Sequence, residues 1–188
     1  MKLRIGTTTV ILAMLAGFGT VARADDKAVR KEIEAGYKKL SAAMKAKDIN
    51  GIMALGTVDF SMKQPGRPAQ NGEQVKKEME QNFAMAKSMS MSTKVKKLNV
   101  KGDTATAMTE MTGRMTMVDT QGMFGPKGKT HKMSDAGTSK DIWAKTPIGW
   151  KVKSVEVLTY KATMDGKPFD PMKAMGGGGA PAPPKKKK

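Results

Sequence analysis

The amino-acid sequence predicts an α+β protein in which three N-terminal helices pack on a curved antiparallel sheet of about four to five strands. Apolar residues first recur at intervals of three and four, the period of helices, and from about Met89 they recur at intervals of two, the period of strands. The stretch SKDIWAKTPIGWKVKSVEVLTY, residues 139–160, has the pattern of two strands joined by a tight turn. Helices followed by a run of strands are typical of the α+β class.

The turn within residues 139–160 has a clear physical basis. Pro147 presets a turn dihedral and Gly149 accepts a positive φ. Trp143 and Trp150 flank the turn, and we expect these two large side chains to seed the core. After the turn, the apolar positions change from even to odd numbers and back again. This change predicts either a β-bulge that resets the face or a strand that is buried on both faces.

Three segments carry helical signals. Residues 26–47 have one apolar stripe, which predicts a long amphipathic helix. Residues 49–55 come directly after an aspartate that is suitable as an N-cap, so a short second helix is expected there. Asn71, with Gln74 three residues later, forms a capping-box pattern and predicts a third helix that reaches about residue 86.

Strand signals dominate the second half of the chain. A short extended piece over residues 59–62 precedes a loop rich in proline and glycine. Period-two patterns then predict four antiparallel strands, at residues 89–100, 104–118, 130–145 and 150–161. A loop is expected between the second and third of them, and a final turn near the end is expected to be pinned to the body by Phe169.

The two ends of the chain have compositions that differ from the folded part. Residues 1–24 combine a basic start, a short apolar run and a small-residue cleavage site, which is typical of a secretory signal peptide. Cleavage between Ala24 and Asp25 would make the protein secreted or periplasmic. Residues 171–188 are rich in Gly, Pro and Lys, and we expect a disordered tail. One domain is therefore predicted over residues 25–170, and because the chain has no cysteine, it must fold without disulfides.

The formal net charge is +17, from 34 Lys and Arg against 17 Asp and Glu. Such an excess favours an anionic cell-envelope surface as a partner. A simple solvated coat of lysines is the other interpretation, because the lysines are scattered along the chain. They also lack the interleaved aromatic residues of a nucleic-acid platform, which argues against nucleic acid as a partner.

The order and spacing of several short motifs resemble the SnoaL-like and ketosteroid isomerase-like domains of the nuclear transport factor 2 superfamily. The matching positions are the end of the first helix with the short second helix, residues 47–55, then Asp59 and Pro65, then residues 100–105, 141–143 and 149–152. The resemblance covers nearly the whole predicted domain. It implies a cone-shaped α+β barrel, an apolar pocket between sheet and helices, and frequent dimers formed through the sheet.

Two positions depart from the isomerase branch of that family. The resemblance implies a helix tyrosine that stabilises an oxyanion, but this position falls on Leu40, with Tyr37 one turn earlier. The catalytic base is expected one residue before the proline, where Gln64 stands and cannot take up a proton near neutral pH. Isomerase chemistry is therefore not expected, and no cofactor is predicted.

The first functional hypothesis is a non-catalytic module that binds a small apolar ligand in a methionine-rich pocket, forms a homodimer, or does both. Flexible thioether side chains suit an apolar ligand of variable shape. The candidate pocket residues are Tyr37, Met62, Phe83, Met111, Met115 and Trp143.

The second hypothesis is a SnoaL-like enzyme, an isomerase, cyclase or hydrolase, that uses Asp59 or His131. His131 is the single histidine, and a histidine without a placed partner is more often structural than catalytic. Asp141 is expected to pair with a neighbouring lysine rather than to take part in a reaction.

The third hypothesis is Cu(I) binding through strand methionines. The chain has 18 methionines, and Met89 and Met91 share one strand face, as do Met115 and Met117 on the next strand. Soft thioethers select Cu(I) among biological metal ions. Ordinary core packing explains the same period-two spacing, so both interpretations stay open.

Overall fold

The computed structural model describes residues 21–170, and these form three helices and seven strands. The helices are α1 (Val21–Ala46), α2 (Ile49–Met53) and α3 (Gly72–Met85). Residues 1–20 of the predicted signal peptide, which was expected over residues 1–24, lie outside the described residues. The predicted tail over residues 171–188 lies outside them as well. Within the described part, no helix is long and apolar enough to cross a membrane.

The helix ends are explained by local chemistry. Lys47, with φ of 56°, adopts the left-handed conformation that commonly ends a helix. The Asp48 side chain accepts a hydrogen bond from the Gly51 amide and caps α2. Asn71 and Gln74 form the predicted capping box at the start of α3, with both hydrogen bonds present. Helix α2 is shorter than expected because the chain becomes extended again at residue 56.

The seven strands form one curved sheet. They are β1 (Gly56–Lys63), β2 (Gln70–Asn71), β3 (Ala86–Lys101), β4 (Thr104–Val118), β5 (Thr130–Thr146), β6 (Gly149–Met164) and β7 (Lys167–Phe169). Their order is β2-β1-β6-β5-β4-β3, and β7 also pairs with β6.

The α+β class and the four long antiparallel strands are confirmed, but the strand number and one strand direction require correction. The sheet has seven strands rather than four or five, because β2 and β7 are too short to show a periodic pattern. It is mixed rather than antiparallel, because β1 runs parallel to β6. That pairing joins segments far apart in the sequence, so no turn residue indicates it.

The predicted bulge lies in β6 and occurs twice. Opposite the consecutive pair Ile142 and Trp143, the partners are Ser154 and Val152, so Lys153 is an extra residue. A second register shift leaves Leu158 as an extra residue. Each bulge moves the inward-facing positions by one, which explains the two parity changes in the sequence and curves the strand around the helices.

The main core lies where α1 crosses the concave face of the sheet. Val29, Ile33 and Tyr37 of α1 pack against two alanines of β4 and against Trp143 of β5. The small side chains of Ala105 and Ala107 let the helix approach the sheet closely. A second cluster, around Ala86, Met115 and Met117, lies farther along the same sheet.

Replacing Gly36 of α1 by alanine is expected to destabilise the protein. A Cβ atom at this position would lie 2.7 Å from Cη2 of the buried Trp143 indole. Alanine favours helix by about 1 kcal/mol relative to glycine, but overpacking a core costs about 1–3 kcal/mol. We expect Gly36→Ala to lower the free energy of unfolding, measured by urea denaturation.

Gly72→Ala is the matched control, because its Cβ would meet Met53 Cε at an ordinary 3.4 Å. This substitution should leave stability unchanged or slightly increased. A Gly36→Ala protein as stable as the Gly72→Ala protein would contradict the close packing of α1 against Trp143.

Candidate functional site

A cavity of about 260 Å³ lies between the three helices and the concave face of the sheet. Its wall is mainly apolar, and four polar side chains lie on it besides Tyr37. The apolar and aromatic lining includes Tyr37, Leu40 and Met44 of α1, Met53 of α2, Phe60 and Met62 of β1, Met79 of α3, Met91 of β3, Trp143 of β5 and Val155 of β6.

The local sequence explains why these side chains face the cavity. Leu40 and Met44 continue the apolar stripe of α1 beyond the core, since residues four apart lie on one helix face. Met79 lies on the corresponding stripe of α3. The bulge at Lys153 then places Val155 on the same face of β6 as Val152, so the sheet side of the cavity is apolar as well.

A buried hydrogen-bond network adjoins the cavity, and two of its members, Tyr37 and Trp143, also line the cavity. The Tyr37 hydroxyl donates to Oδ2 of Asp141 at 2.6 Å, and the Trp143 indole N–H donates to the Tyr37 oxygen at 3.1 Å. The rings of Tyr37 and Trp143 also meet edge to face, with centroids 5.1 Å apart. The network joins α1 to β5 and fixes the orientation of both aromatic rings.

Asp141 is 3% exposed, and its Oδ1 atom has no hydrogen-bond partner among the described residues. Burial raises the pKa of the Asp141 carboxyl above its usual range, against the opposing effects of the Tyr37 and Ser139 hydroxyls. The hydroxyl of Ser139 also forms a hydrogen bond with that of Thr109, at 2.7 Å. Burial, with the negative charge of Asp141 as the next cause, raises the pKa of Tyr37, so its hydroxyl stays protonated.

The expectation that Asp141 pairs with a lysine is therefore corrected, because its side chain points into the core and contacts Tyr37. The alternation of residues along β5 indicates that the Asp141 side chain faces the core. Ser139, Asp141 and Trp143 occupy successive inward positions, and all three are buried.

Polar side chains gather at one part of the cavity wall. Arg67 Nη1 contacts both carboxylate oxygens of Glu78, at 2.9 and 3.2 Å, and Gln70 donates to the same carboxylate at 2.8 Å. Gln64 lies on the wall as well, and its side-chain amide makes a weak contact, from Nε2 to the Met62 sulfur at 3.6 Å. The amide therefore keeps hydrogen-bonding capacity that a ligand could use.

Three of the six predicted pocket residues, Tyr37, Met62 and Trp143, line the cavity. The other three do not. Phe83 is buried on α3, Met111 lies farther along β4, and Met115 belongs to the second core cluster. Period-two alternation places Met111 and Met115 on the concave face, but it does not tell which part of a 15-residue strand the helices cover.

The two candidate catalytic residues lie apart from each other and outside the cavity lining. Asp59 has a side chain that is 60% exposed and lies 3.5 Å from Lys153 Nζ. A hydrogen bond from Thr57 and the nearby Lys153 lower the pKa of Asp59. His131 is buried near the second cluster, where its Nδ1 atom lies 2.8 Å from Oδ2 of Asp165.

The four methionines predicted as copper ligands do not all lie in one place. Met89, Met115 and Met117 belong to the second cluster, whereas Met91 lines the cavity. Among the described residues, no group of three or more His, Cys, Asp or Glu side chains could hold a metal ion.

Sequence comparisons with known proteins find no matching family model and no matching curated protein. Solved structures do match. A protein from Kribbella flavida has 14% identity, a TM-score of 0.62, and coverage of 79% of this chain and 98% of that chain. A nuclear transport factor 2-like superfamily protein from Salmonella enterica has 19% identity, a TM-score of 0.55, and coverage of 70% and 90%.

A hexachlorocyclohexane dehydrochlorinase has 13% identity to this chain and a TM-score of 0.58, and the match covers 87% of this chain and 99% of that chain. These likenesses concern the fold. The chain has the nuclear transport factor 2-like fold, which confirms the resemblance seen in the sequence at that level.

Asp141→Asn should change the pH dependence of stability. The native pKa of Asp141 is raised by burial, so the stability associated with its protonated form is fully present below the unfolded-state pKa of about 3.9 and is lost as pH rises through the native pKa. Asparagine does not ionise. The free energy of unfolding of Asp141→Asn relative to the unmodified protein should therefore increase from pH 4 to pH 8, measured by urea denaturation.

Asp119 provides a control of opposite sign. Although burial opposes it, the backbone amides of residues 121–124 hold the pKa of Asp119 below its usual range. The stability it confers is present above the unfolded-state pKa and is lost as pH falls through the native one. Asp119→Asn should thus become less stable, relative to the unmodified protein, as pH rises.

If the difference in free energy of unfolding between Asp141→Asn and the unmodified protein were constant with pH, this would contradict the account of the burial of Asp141.

Proposed function

We propose that this protein is a binding module that holds a small, largely apolar molecule carrying one hydrogen-bonding group. The observation that carries the proposal is the cavity between helices and sheet, which has an apolar wall and the uncommitted amide of Gln64 on it. Ligand sites commonly combine an apolar wall with a few polar groups that fix orientation.

Methionines make the cavity wall adaptable. Five of them contribute to it: Met44, Met53, Met62, Met79 and Met91. Unbranched thioether side chains change rotamer at little cost and fit ligands of different shape. This supports a methionine-rich pocket, although most of its methionines differ from those expected from the sequence.

The polar groups of the cavity favour binding over proton transfer. Gln64 occupies the position where the family resemblance implies a carboxylate base, and an amide can donate and accept hydrogen bonds but cannot take a proton near neutral pH. Glu78 is the one carboxylate among the described lining residues, and Arg67 neutralises it. Asp141 does not line the cavity, and its unpartnered oxygen is buried.

The catalytic alternative rests on Asp59 or His131, and neither lines the cavity. The similarity to a dehydrochlorinase shows that an enzyme is found among proteins with this fold. Function is set by the residues of a site rather than by the fold, so this similarity does not assign a reaction to the present chain.

The proposal places the protein outside the cytoplasm, secreted or periplasmic, after cleavage between Ala24 and Asp25, and as a homodimer. The secretory pattern of residues 1–24 supports export, and the lysine excess suits contact with an anionic cell envelope. Intact-mass measurement of protein recovered from the periplasm or medium would locate the cleavage site, and sedimentation would give the oligomeric state.

Binding of 2-naphthol, measured by its fluorescence and by calorimetry, tests the proposed pocket. This probe is apolar and carries one hydroxyl, and naphthalene is its analogue without the hydroxyl. Gln64→Leu should weaken 2-naphthol binding by about fivefold to tenfold, since one hydrogen bond contributes about 1 kcal/mol. It should leave naphthalene binding within about twofold, because that probe has no group for the amide to bond.

Leu40→Trp, which fills the cavity, should abolish binding of both probes. Met111→Leu is the control, because Met111 lies on the concave face outside the cavity lining, and it should bind both probes like the unmodified protein. Circular dichroism would establish that each variant is folded. Unchanged binding of both probes to folded Leu40→Trp would overturn the proposed function.

A further inference from the structure

A row of four methionines crosses the sheet at the end away from the ligand cavity. Met89 of β3 pairs with Met115 of β4, Met115 pairs with Met133 of β5, and Met133 pairs with Met164 of β6. Directly paired residues of antiparallel strands project from the same face of the sheet. The four thioether side chains therefore lie side by side on the concave face, and all four belong to the second core cluster.

His131 lies in the next row, beside these methionines. It pairs with Met117 across β4 and β5, and it stands two residues before Met133 on the same strand. Neighbours at paired and diagonal positions of a sheet lie about 4.5–8 Å apart at their Cβ atoms. Met115, Met117 and Met133 are therefore immediate neighbours of His131 on the concave face, and the His131 side chain is 2% exposed.

The hydrogen bonds of His131 fix which nitrogen is free. Nδ1 lies 2.8 Å from Oδ2 of Asp165. The backbone amide of Lys132 donates to the other oxygen of this carboxylate, at 2.9 Å. A carboxylate only accepts hydrogen bonds, so Nδ1 is the donor. In the neutral ring the lone pair then belongs to Nε2. Nε2 is buried, and it has no hydrogen-bond partner in the part of the chain that the structure describes.

The loop between β4 and β5 closes over this end of the sheet. Asp119 accepts hydrogen bonds from the amides of residues 121–124, at 2.6–3.3 Å, which folds the loop tightly. Phe124, at the end of that turn, packs against the second core cluster. Its ring meets His131 edge to face, with centroids 6.2 Å apart. The loop thus shields the imidazole and the thioethers from water.

We propose that this end of the sheet is a Cu(I) site, in which Nε2 of His131 and thioethers from Met115, Met117 and Met133 bind the ion. A histidine whose Nδ1–H is held by a carboxylate and whose Nε2 carries a free lone pair is the usual arrangement of a metal-binding histidine. Thioether sulfur is a soft ligand that selects Cu(I), and imidazole also suits copper.

The ligand set also distinguishes Cu(I) from harder ions. Zinc sites in proteins use thiolate, imidazole and carboxylate ligands, and calcium and magnesium sites use oxygen ligands. The chain has no cysteine, and no group of three or more His, Asp or Glu side chains comes together among the described residues. The site differs from the one expected from the sequence, because His131 and Met133 join it and two of the four expected methionines do not. Met91 lines the cavity, and Met89 lies on β3 opposite Met115 but is not one of the proposed ligands.

Anaerobic titration of the full protein with Cu(I), in competition with bicinchoninate, tests the proposal. We expect one Cu(I) per chain, and X-ray absorption of the loaded protein should show both sulfur and nitrogen ligands. His131→Asn keeps a donor for Asp165 but removes Nε2, so its affinity should fall at least about tenfold and its nitrogen signal should disappear.

The double variant Met115→Leu with Met117→Leu should also bind Cu(I) at least about tenfold more weakly, since it replaces soft ligands by hydrocarbon. Leucine conserves the volume of methionine well, and thermal unfolding would verify the fold. The matched control is Met62→Leu with Met79→Leu, which removes two methionines from the ligand cavity and should change affinity less than twofold.

Asp165→Asn tests the positioning role of the carboxylate. Loss of such an outer partner typically weakens metal binding by about 10–100-fold. The proposal is overturned if the unmodified protein does not compete with bicinchoninate, in which case His131 is a packed core histidine. It is equally overturned if His131→Asn and the Met115/Met117 variant, both folded, bind Cu(I) as tightly as the cavity control.

Discussion

The contact between α1 and β5 through Tyr37, Asp141 and Trp143 is the interaction on which the rest of the structure depends. Trp143 is 1% exposed, and its indole reaches the helix because Gly36 has no side chain to obstruct it. The Tyr37 hydroxyl then has both a donor and an acceptor partner in the interior. A buried carboxyl group is costly unless hydrogen bonded, and Tyr37 satisfies one oxygen of Asp141. The same contact sets the distance between helix and sheet, and therefore the depth of the cavity.

The curvature of β6 determines what the helices can cover. Its two bulges turn the strand around α1 and keep Val152, Val155 and Tyr160 on one side of the sheet despite their mixed parity. The parallel strand β1 then adds to the outer edge of β6 and brings Phe60 and Met62 to the cavity. Without the first bulge, residues from 154 onward would present the opposite face, and Val155 would not reach the cavity.

Several elements were predictable from the sequence because their signals are local. The turn at residues 146–149, the cap at Asp48 and the capping box of Asn71 with Gln74 each depend on residues within one turn of one another. The bulges of β6 were predictable because the apolar positions change from even to odd residue numbers and back. The parallel pairing of β1 and the role of Asp141 were not, since they depend on contacts across about 100 positions of sequence. Periodicity identifies the concave face, but it does not say which part of β4 the helices cover, so it does not reveal that Met111 and Met115 lie outside the cavity lining.

The long strands leave more concave surface than the helices can fill, and this explains why two methionine-rich regions exist. Strands β3 to β6 have 15–17 residues each, or roughly 50 Å at 3.3 Å per residue. The three helices cover the end that carries Trp143, and the far end is covered by the loop that Asp119 folds. An adaptable side chain such as methionine is suited to both places, because neither a ligand cavity nor a surface under a loop is packed as regularly as a helix on a sheet.

The two regions differ chemically in the polar group that each contains. The amide of Gln64 supports the proposed binding of a molecule with a hydrogen-bonding group, whereas the unpartnered Nε2 of His131, with methionines at neighbouring positions of the sheet, supports the proposed binding of a soft metal ion.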